Sequence, residues 1–200
     1  MPSIALTFDD GPSRWTEPLL DVLAKHGAQG TFFVVGSIAS ARADLLRRMV
    51  DEGHEVGNHT WSHPALARDC DDERVRSELQ RTTNLLIELA GVRPTLFRAP
   101  HYDVDERVEA IAAEVGLRHV RGDIAPPDWH PGWTARLSIT FVLQQIHGGS
   151  IVGLHDGVPP TEAEEGLSRQ LTVDAVAGIV PALQERGIDC VAASELLDTA

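Results

Sequence analysis

The 200-residue sequence predicts an α/β fold: a parallel sheet closed or partly closed into a barrel, in a single domain covering residues 1–200. Three observations lead there. Short apolar, β-branched runs alternate with longer stretches of helical periodicity from one end of the chain to the other. No glycine-rich phosphate loop follows the first run, which argues against an open doubly wound sheet. Ionisable residues gather just after successive apolar runs, where the strand C-termini of a barrel carry its chemistry.

The elements follow in order. Residues 4–8 read as a buried strand, and 17–26 as a helix with Leu19, Val22, Leu23 and His26 on one face. Residues 31–35 are a β-branched and aromatic strand. Residues 43–52 are helical, with Leu45, Leu46, Met49 and Val50 inward and Gly53 as the stop. A short, half-polar strand at 55–58 precedes the longest helix, 72–90, whose stripe is Val75, Leu79, Leu86 and Ala90 and whose terminator is Gly91. A strand at 95–98 is followed by a helix through Val115 that Asp103 is expected to cap. Strands at 118–121 and 150–154 flank a helix at 134–145 that Gly148 and Gly149 end. The helix at 172–186 contains Pro181, which should kink or split it. A strand at 188–192 and a short helix capped by Ser194 complete the alternation, with no internal repeat or linker.

Composition narrows the function classes. The chain is 42% hydrophobic and 24% charged, as in globular proteins, and its net charge of -13 argues against nucleic acid and anionic membrane partners. A neutral or cationic substrate fits better. Cys70 and Cys190 form no Cys-x-x-Cys motif, and their unlike neighbourhoods predict two free thiols in a reducing compartment. Only Met1, Pro2 and Ser3 precede the first strand and no basic-then-apolar leader is seen, so the expectation is a cytoplasmic protein, the alternative being a trimmed secreted chain.

The strand ends carry the chemistry. The first ends in Thr7-Phe8-Asp9-Asp10-Gly11-Pro12. Two adjacent carboxylates at a strand mouth repel one another and resist burial unless a cation compensates them. A metal ion held by one carboxylate leaves the other free as a base. The third strand runs into His59 and His63, whose His-x-x-x-His spacing puts both imidazoles on one face of a helical turn. With one carboxylate they make an open His/His/Asp site. Later strands end in Arg98-Ala99-Pro100-His101-Tyr102, lead into Asp123 and Asp128-Trp129, and end in Leu154-His155-Asp156.

These five segments, taken together and in this order, resemble the polysaccharide deacetylases of the NodB-homology group, carbohydrate esterase family four. The resemblance implies a distorted (β/α) barrel with about seven parallel strands. It also implies metal-dependent hydrolysis of an N-acyl group, N-acetyl above all and less often O-acetyl, on an amino sugar, glycan or small-molecule substrate. Carried over residue by residue, it makes Asp10, His59 and His63 the ligands of a divalent metal ion, zinc. Asp9 becomes the general base, Arg98 its orienting partner, and His155 the general acid held by Asp123. The His101 backbone N–H helps stabilise the oxyanion, and Tyr102, Trp129 and Leu154 line the substrate groove. The chain departs from the pattern in three places. His101 stands where tyrosine is usual, Asp123 is unusually far from Trp129, and Gly153 stands where a bulky aliphatic side chain borders the acyl methyl. The last departure predicts a pocket open to groups larger than acetyl. Alternatives are a cyclic-amide or allantoinase-like hydrolase of the same superfamily, identified by ring opening without acetate release, and a noncatalytic glycan-binding domain.

Other residues have plainer readings. His26, His54, His119 and His147 lack partners at ligand spacing and are expected in core or surface roles, while His130 lies beside Trp129 and within reach of the groove. Trp15, Trp61 and Trp129 are candidate sugar-stacking platforms, Trp61 equally a core residue. Glu162, Glu164 and Glu165 form an acidic loop expected to be solvated rather than a lid. Oligomeric state is left open.

Overall fold

The computed structural model describes residues 2–161 and 167–198; the three loop glutamates fall outside them. The elements are β1 (Ser3–Gly11), α1 (Thr16–His26), β2 (Thr31–Val34), α2 (Gly36–Ala39), α3 (Ala43–Asp51), β3 (Glu55–Asn58), α4 (Leu66–Asp69), α5 (Asp72–Ala90), β4 (Leu96–Phe97), a 3-10 turn (Pro100–Tyr102), α6 (Glu106–Glu114), β5 (Arg118–His119), α7 (Ala135–Gln145), β6 (Ile151–His155), α8 (Gln170–Glu185), β7 (Asp189–Cys190) and α9 (Ala193–Leu197). The strands form one parallel sheet in the order β5-β4-β3-β2-β1-β6, with β7 paired to Ser3 and Ile4 at the start of β1. The sheet curls. The chain beyond β5 returns to β6, where Asp123 N–H donates to the Ile151 carbonyl (3.0 Å) and Ile124 bridges Val152. Together these contacts draw the sheet into the expected distorted barrel.

Strand alternation divides the side chains between two environments. Along β1, Ile4, Leu6 and Phe8 point outward into the core shared with α1, α7 and α8. Ala5, Thr7 and Asp9 point inward. The lowest inward layer is apolar, with Ala5, Phe33, Leu96, Val120 and Ile151, and Ala193 of α9 closes it from below. Above it lies Arg98, fully buried, its guanidinium carbon 4.3 Å from the Phe33 ring centre. The barrel thus changes from apolar to ionic as it rises toward the strand C-termini.

Several local expectations are corrected. Asp105, not Asp103, caps α6, accepting from Val108 N–H at 2.9 Å. Asp103 instead accepts from the Ala67 and Arg68 backbone and pairs with the Arg68 side chain. Helix α8 runs as one element through Pro181, so the predicted split does not occur. Ser194 lies inside α9, whose cap position is Ala192. Helices α2 and α4 escape the sequence because four residues carry no readable period. Both cysteines are free.

Candidate active site

The β1 carboxylates are brought together by a break in the strand. Regular β geometry sends consecutive side chains to opposite faces. Here the register with β2 shifts between Asp9 and Gly11, and Asp10 takes a left-handed backbone (φ 70). Both carboxylates consequently line the same cleft.

Asp10 faces His59 and His63. Its Oδ1 lies 3.3 Å from His59 Nε2 and 3.1 Å from His63 Nε2, and all three residues are buried. His59 Nδ1–H donates to the Arg98 carbonyl at 2.8 Å, which fixes the tautomer and leaves Nε2 with its lone pair toward Asp10. The two imidazoles do not ride on a helical turn, as their spacing predicts. They stand on a loop in which Thr60 and His63 have positive φ (67 and 61). Helix α5 braces that loop. Asn58 Nδ2 donates to the Leu79 carbonyl and to Thr83, and Glu78 accepts from Trp61 N, Ser62 N and Ser62 Oγ at 2.7–2.9 Å.

This trio fits a divalent metal. Its ligand atoms lie within 4.8 Å of one another, and Asp10 Oδ1 is buried without a hydrogen-bond donor. Burial raises the Asp10 pKa, but the two adjacent imidazoles outweigh it and hold the carboxyl well below its usual range. The His59 pKa is lowered by burial and raised more strongly by Asp9 and Asp10.

Asp9 is held apart from that trio by a cation. Arg98 Nη1 donates to Asp9 Oδ1 at 2.9 Å and to Thr7 Oγ1 at 2.7 Å, and Nε donates to the Val120 carbonyl at 3.2 Å. The guanidinium therefore reaches across the barrel interior from the end of β4 to β1.

On the opposite wall, His155 Nδ1–H donates to Asp128 Oδ1 at 2.7 Å, and His155 N–H donates to Asp128 Oδ2 at 2.9 Å. Burial lowers the His155 pKa, but the Asp128 carboxylate and its hydrogen bond overcome that and raise it to about 9. The assignment of Asp123 to this task is corrected. Asp123 accepts from Ile151 N–H at 2.5 Å and lies 3.2 Å from His147. Ile151 opens β6 and His155 ends it, so Asp123 sits roughly four strand residues, about 13 Å, below the imidazole. Asp128, next to Trp129, arrives at the right height.

Asp9, Asp10, His59, His63, His101, Tyr102, Trp129 and His155 line one cleft of about 360 Å³. Arg98 lies directly behind it. Leu154 does not line it: alternation turns that side chain outward to the helical core, while Gly153 and His155 face in. Trp129, 47% exposed, packs edge-on against His155, whereas Trp15 is a core residue and Trp61 lies beneath Arg81. His101 lies over His63 with ring centres 4.9 Å apart, and its pKa is lowered by burial and by that neighbour. His130 is exposed and outside the lining. His54 and His119 pack against Phe32 and Phe97. Beside Gly153, where an open acyl pocket is expected, the Tyr102 hydroxyl lies 3.3 Å from where a Cβ would stand and borders that space.

Sequence reasoning missed three contributors, Glu78, Thr172 and Arg169, and gave no role to Asp156, which it quoted only as the neighbour of His155. Each is polar and buried, and each acts through partners distant in the chain. Asp156 accepts from the Thr16 hydroxyl beneath the β1 turn, and burial pushes its pKa up to about 7. No spacing rule marks Glu78, Thr172 or Arg169.

Comparison with known proteins accords with this geometry. The polysaccharide deacetylase family model matches residues 1–120. A chitooligosaccharide deacetylase of Bradyrhizobium sp. is 40% identical over 192 residues, 94% of this chain and 87% of the relative. A peptidoglycan-N-acetylglucosamine deacetylase of Bacillus cereus is 34% identical over 197 residues, covering 98% and 68%. Among solved structures, a family 4 acetyl xylan esterase from Clostridium thermocellum, in complex with a cobalt ion, superposes with a TM-score of 0.85 at 34% identity. That superposition covers 98% of this chain and 90% of the other.

Proposed function

We propose that this chain, which belongs to the polysaccharide deacetylase family, hydrolyses the N-acetyl group of an amino-sugar glycan and releases acetate. One observation carries the reading: a carboxylate paired with a buried arginine and an imidazolium paired with a buried aspartate face the same cleft beside a His/His/Asp trio. Amide hydrolysis requires that combination, because water must lose a proton and a poor amine leaving group must gain one.

Asp10, His59 and His63 would hold a divalent cation, and the imidazole-rich donor set suits zinc. When bound, that cation supplies a Lewis acid that polarises the acyl oxygen and makes water acidic near neutral pH. Asp9 accepts the proton of the attacking water, and Arg98 keeps its carboxylate aimed. The acyl oxygen develops charge beside the His101 N–H, a preorganised donor at the rim. As the C–N bond breaks, His155 Nε2–H protonates the departing nitrogen, while Asp128 retains the ring through Nδ1. Trp129 offers its exposed face to the sugar ring. The Tyr102 hydroxyl beside Gly153 would narrow the acyl pocket toward acetyl size.

The substrates for which the relatives are named, chitooligosaccharide and peptidoglycan N-acetylglucosamine, support a β-linked N-acetylglucosamine oligomer. A second reading, O-acetyl ester hydrolysis, has the acetyl xylan esterase in its favour. An alkoxide leaves more readily than an amine and needs less acid assistance, so a histidine held in its charged form favours the amide. The test is acetate release from chitin oligosaccharides, peptidoglycan and acetyl xylan, with and without chelator. Chelator-sensitive release from the N-acetylglucosamine substrates is expected. Release from acetyl xylan alone, or ring opening of a cyclic amide without acetate, would replace this reading.

A further inference from the structure

The Asp128 carboxylate has a third partner that comes from neither motif loop. Thr172 Oγ1–H donates to Asp128 Oδ2 at 2.8 Å across 44 residues of chain, and both side chains are buried. Without it, among the described residues, the hydrogen bonds to the carboxylate would all come from His155, through its backbone N–H and Nδ1–H. Imidazole and carboxylate could then tilt together while keeping their mutual bonds. Thr172 removes that freedom because it belongs to the first turn of α8. That turn is anchored in its own right: buried Arg169, the residue preceding α8, donates through Nε to the Gly157 carbonyl at 2.7 Å. The start of α8 therefore clasps the segment carrying Asp128 and the loop that follows His155.

The choice of a hydroxyl has a chemical logic. A lysine or arginine in its place would also orient Asp128, but its positive charge would offset the carboxylate field that favours imidazolium at His155. A neutral donor fixes direction and leaves the charge in place. We propose that Thr172 is a positioning residue that acts through Asp128 to keep His155 aimed at the leaving nitrogen. The inference rests on the reading of His155 as general acid.

The test exploits the leaving group. An N-acetylglucosamine oligomer needs a proton at nitrogen, whereas 4-nitrophenyl acetate expels a stable phenolate and needs none. The readout is the ratio of kcat on the amide to kcat on the ester, measured with metal-loaded protein. Thr172→Val should lower that ratio about tenfold with amide KM changed by less than about twofold, and Thr172→Ser should restore it to within about twofold. Thr172→Ala, with the same expected ratio, replaces the valine variant if that one melts below the assay temperature. A ratio unchanged in Thr172→Val, or a serine variant as impaired as the valine one, overturns the inference. His155→Ala separates the two layers. If it lowers the ratio while Thr172→Val does not, only the role of Thr172 falls; if it leaves the ratio unchanged, the general-acid reading falls and takes the inference with it.

Discussion

Asp128→Asn probes the acid side of the cleft with the smallest change of shape. The amide oxygen can still accept from Thr172 and His155 N–H, but the negative charge opposite His155 Nδ1 is gone. The pKa of His155 stands at about 9 against an ordinary 6.5, a preference for imidazolium worth about 3 kcal/mol. At pH 7.5 a group titrating near 9 is almost wholly protonated, whereas one titrating near 6.5 is only about one-tenth protonated. Protonation alone therefore lowers kcat on the amide at least about tenfold. Lost orientation of the ring should bring the fall to about a hundredfold. The same substitution has a signed effect on stability. A histidine whose pKa is raised on folding contributes stability that is complete below about pH 6.5 and lost as pH rises through about 9. In metal-stripped protein, the variant should melt about 6–12 °C below the parent at pH 6, with the gap closing toward pH 9.5. The assays are acetate release against pH and calorimetric melts at the two pH values. A kcat within twofold of the parent at pH 7.5, or a melting gap that widens with pH, would refute the reasoning.

Four further outcomes follow from the same geometry. Asp9→Asn should lower kcat on the amide at least about a hundredfold, and it leaves Arg98 as a buried cation without a countercharge, which costs about 3–5 kcal/mol in urea unfolding while bound metal measured by atomic absorption is retained. Glu78→Ala removes three hydrogen bonds from Trp61 and Ser62, and competition with a chromogenic chelator should show metal affinity about 10–100-fold weaker. Gly157→Ala places a Cβ 2.0 Å from the Asp10 carbonyl oxygen, so equilibrium dialysis should show lost metal binding even if the circular dichroism spectrum is kept. Tyr102→Ala empties the space beside Gly153 and should raise the butyryl-to-acetyl rate ratio on matched amides; an unchanged ratio would place the acyl group elsewhere.

What could be read from the sequence was whatever a local pattern controls. Helix α5 was legible to the residue because an apolar stripe, an acidic first turn and left-handed Gly91 all agree. The trio of Asp10, His59 and His63 was legible because its members lie at the ends of β1 and β3, the two strands that flank β2 in the sheet. The assignment of Asp123 failed for want of a path: proximity to a strand end in sequence does not tell how far up the barrel the returning chain has climbed. Leu154 failed for a simpler reason, since alternation from His155 would already have turned it outward. Glu78 and Thr172 were out of reach, because their partners are set by how α5 and α8 pack and no local period encodes that.

The left-handed backbone at the rim has a consequence for how this protein can be improved. Asp10, Thr60, His63, His101 and Tyr102 all carry positive φ, between 53 and 70. At about 1 kcal/mol or more for each such non-glycine residue, the rim holds several kcal/mol, a sizeable share of the ~5–15 kcal/mol net stability of an ordinary domain. Glycine at any of these positions would relax the backbone, yet four of the five side chains line the cleft. Selection for heat resistance and selection for turnover should therefore pull the same handful of codons in opposite directions, and a thermostable, inactive binder is the foreseeable product of screening for stability alone.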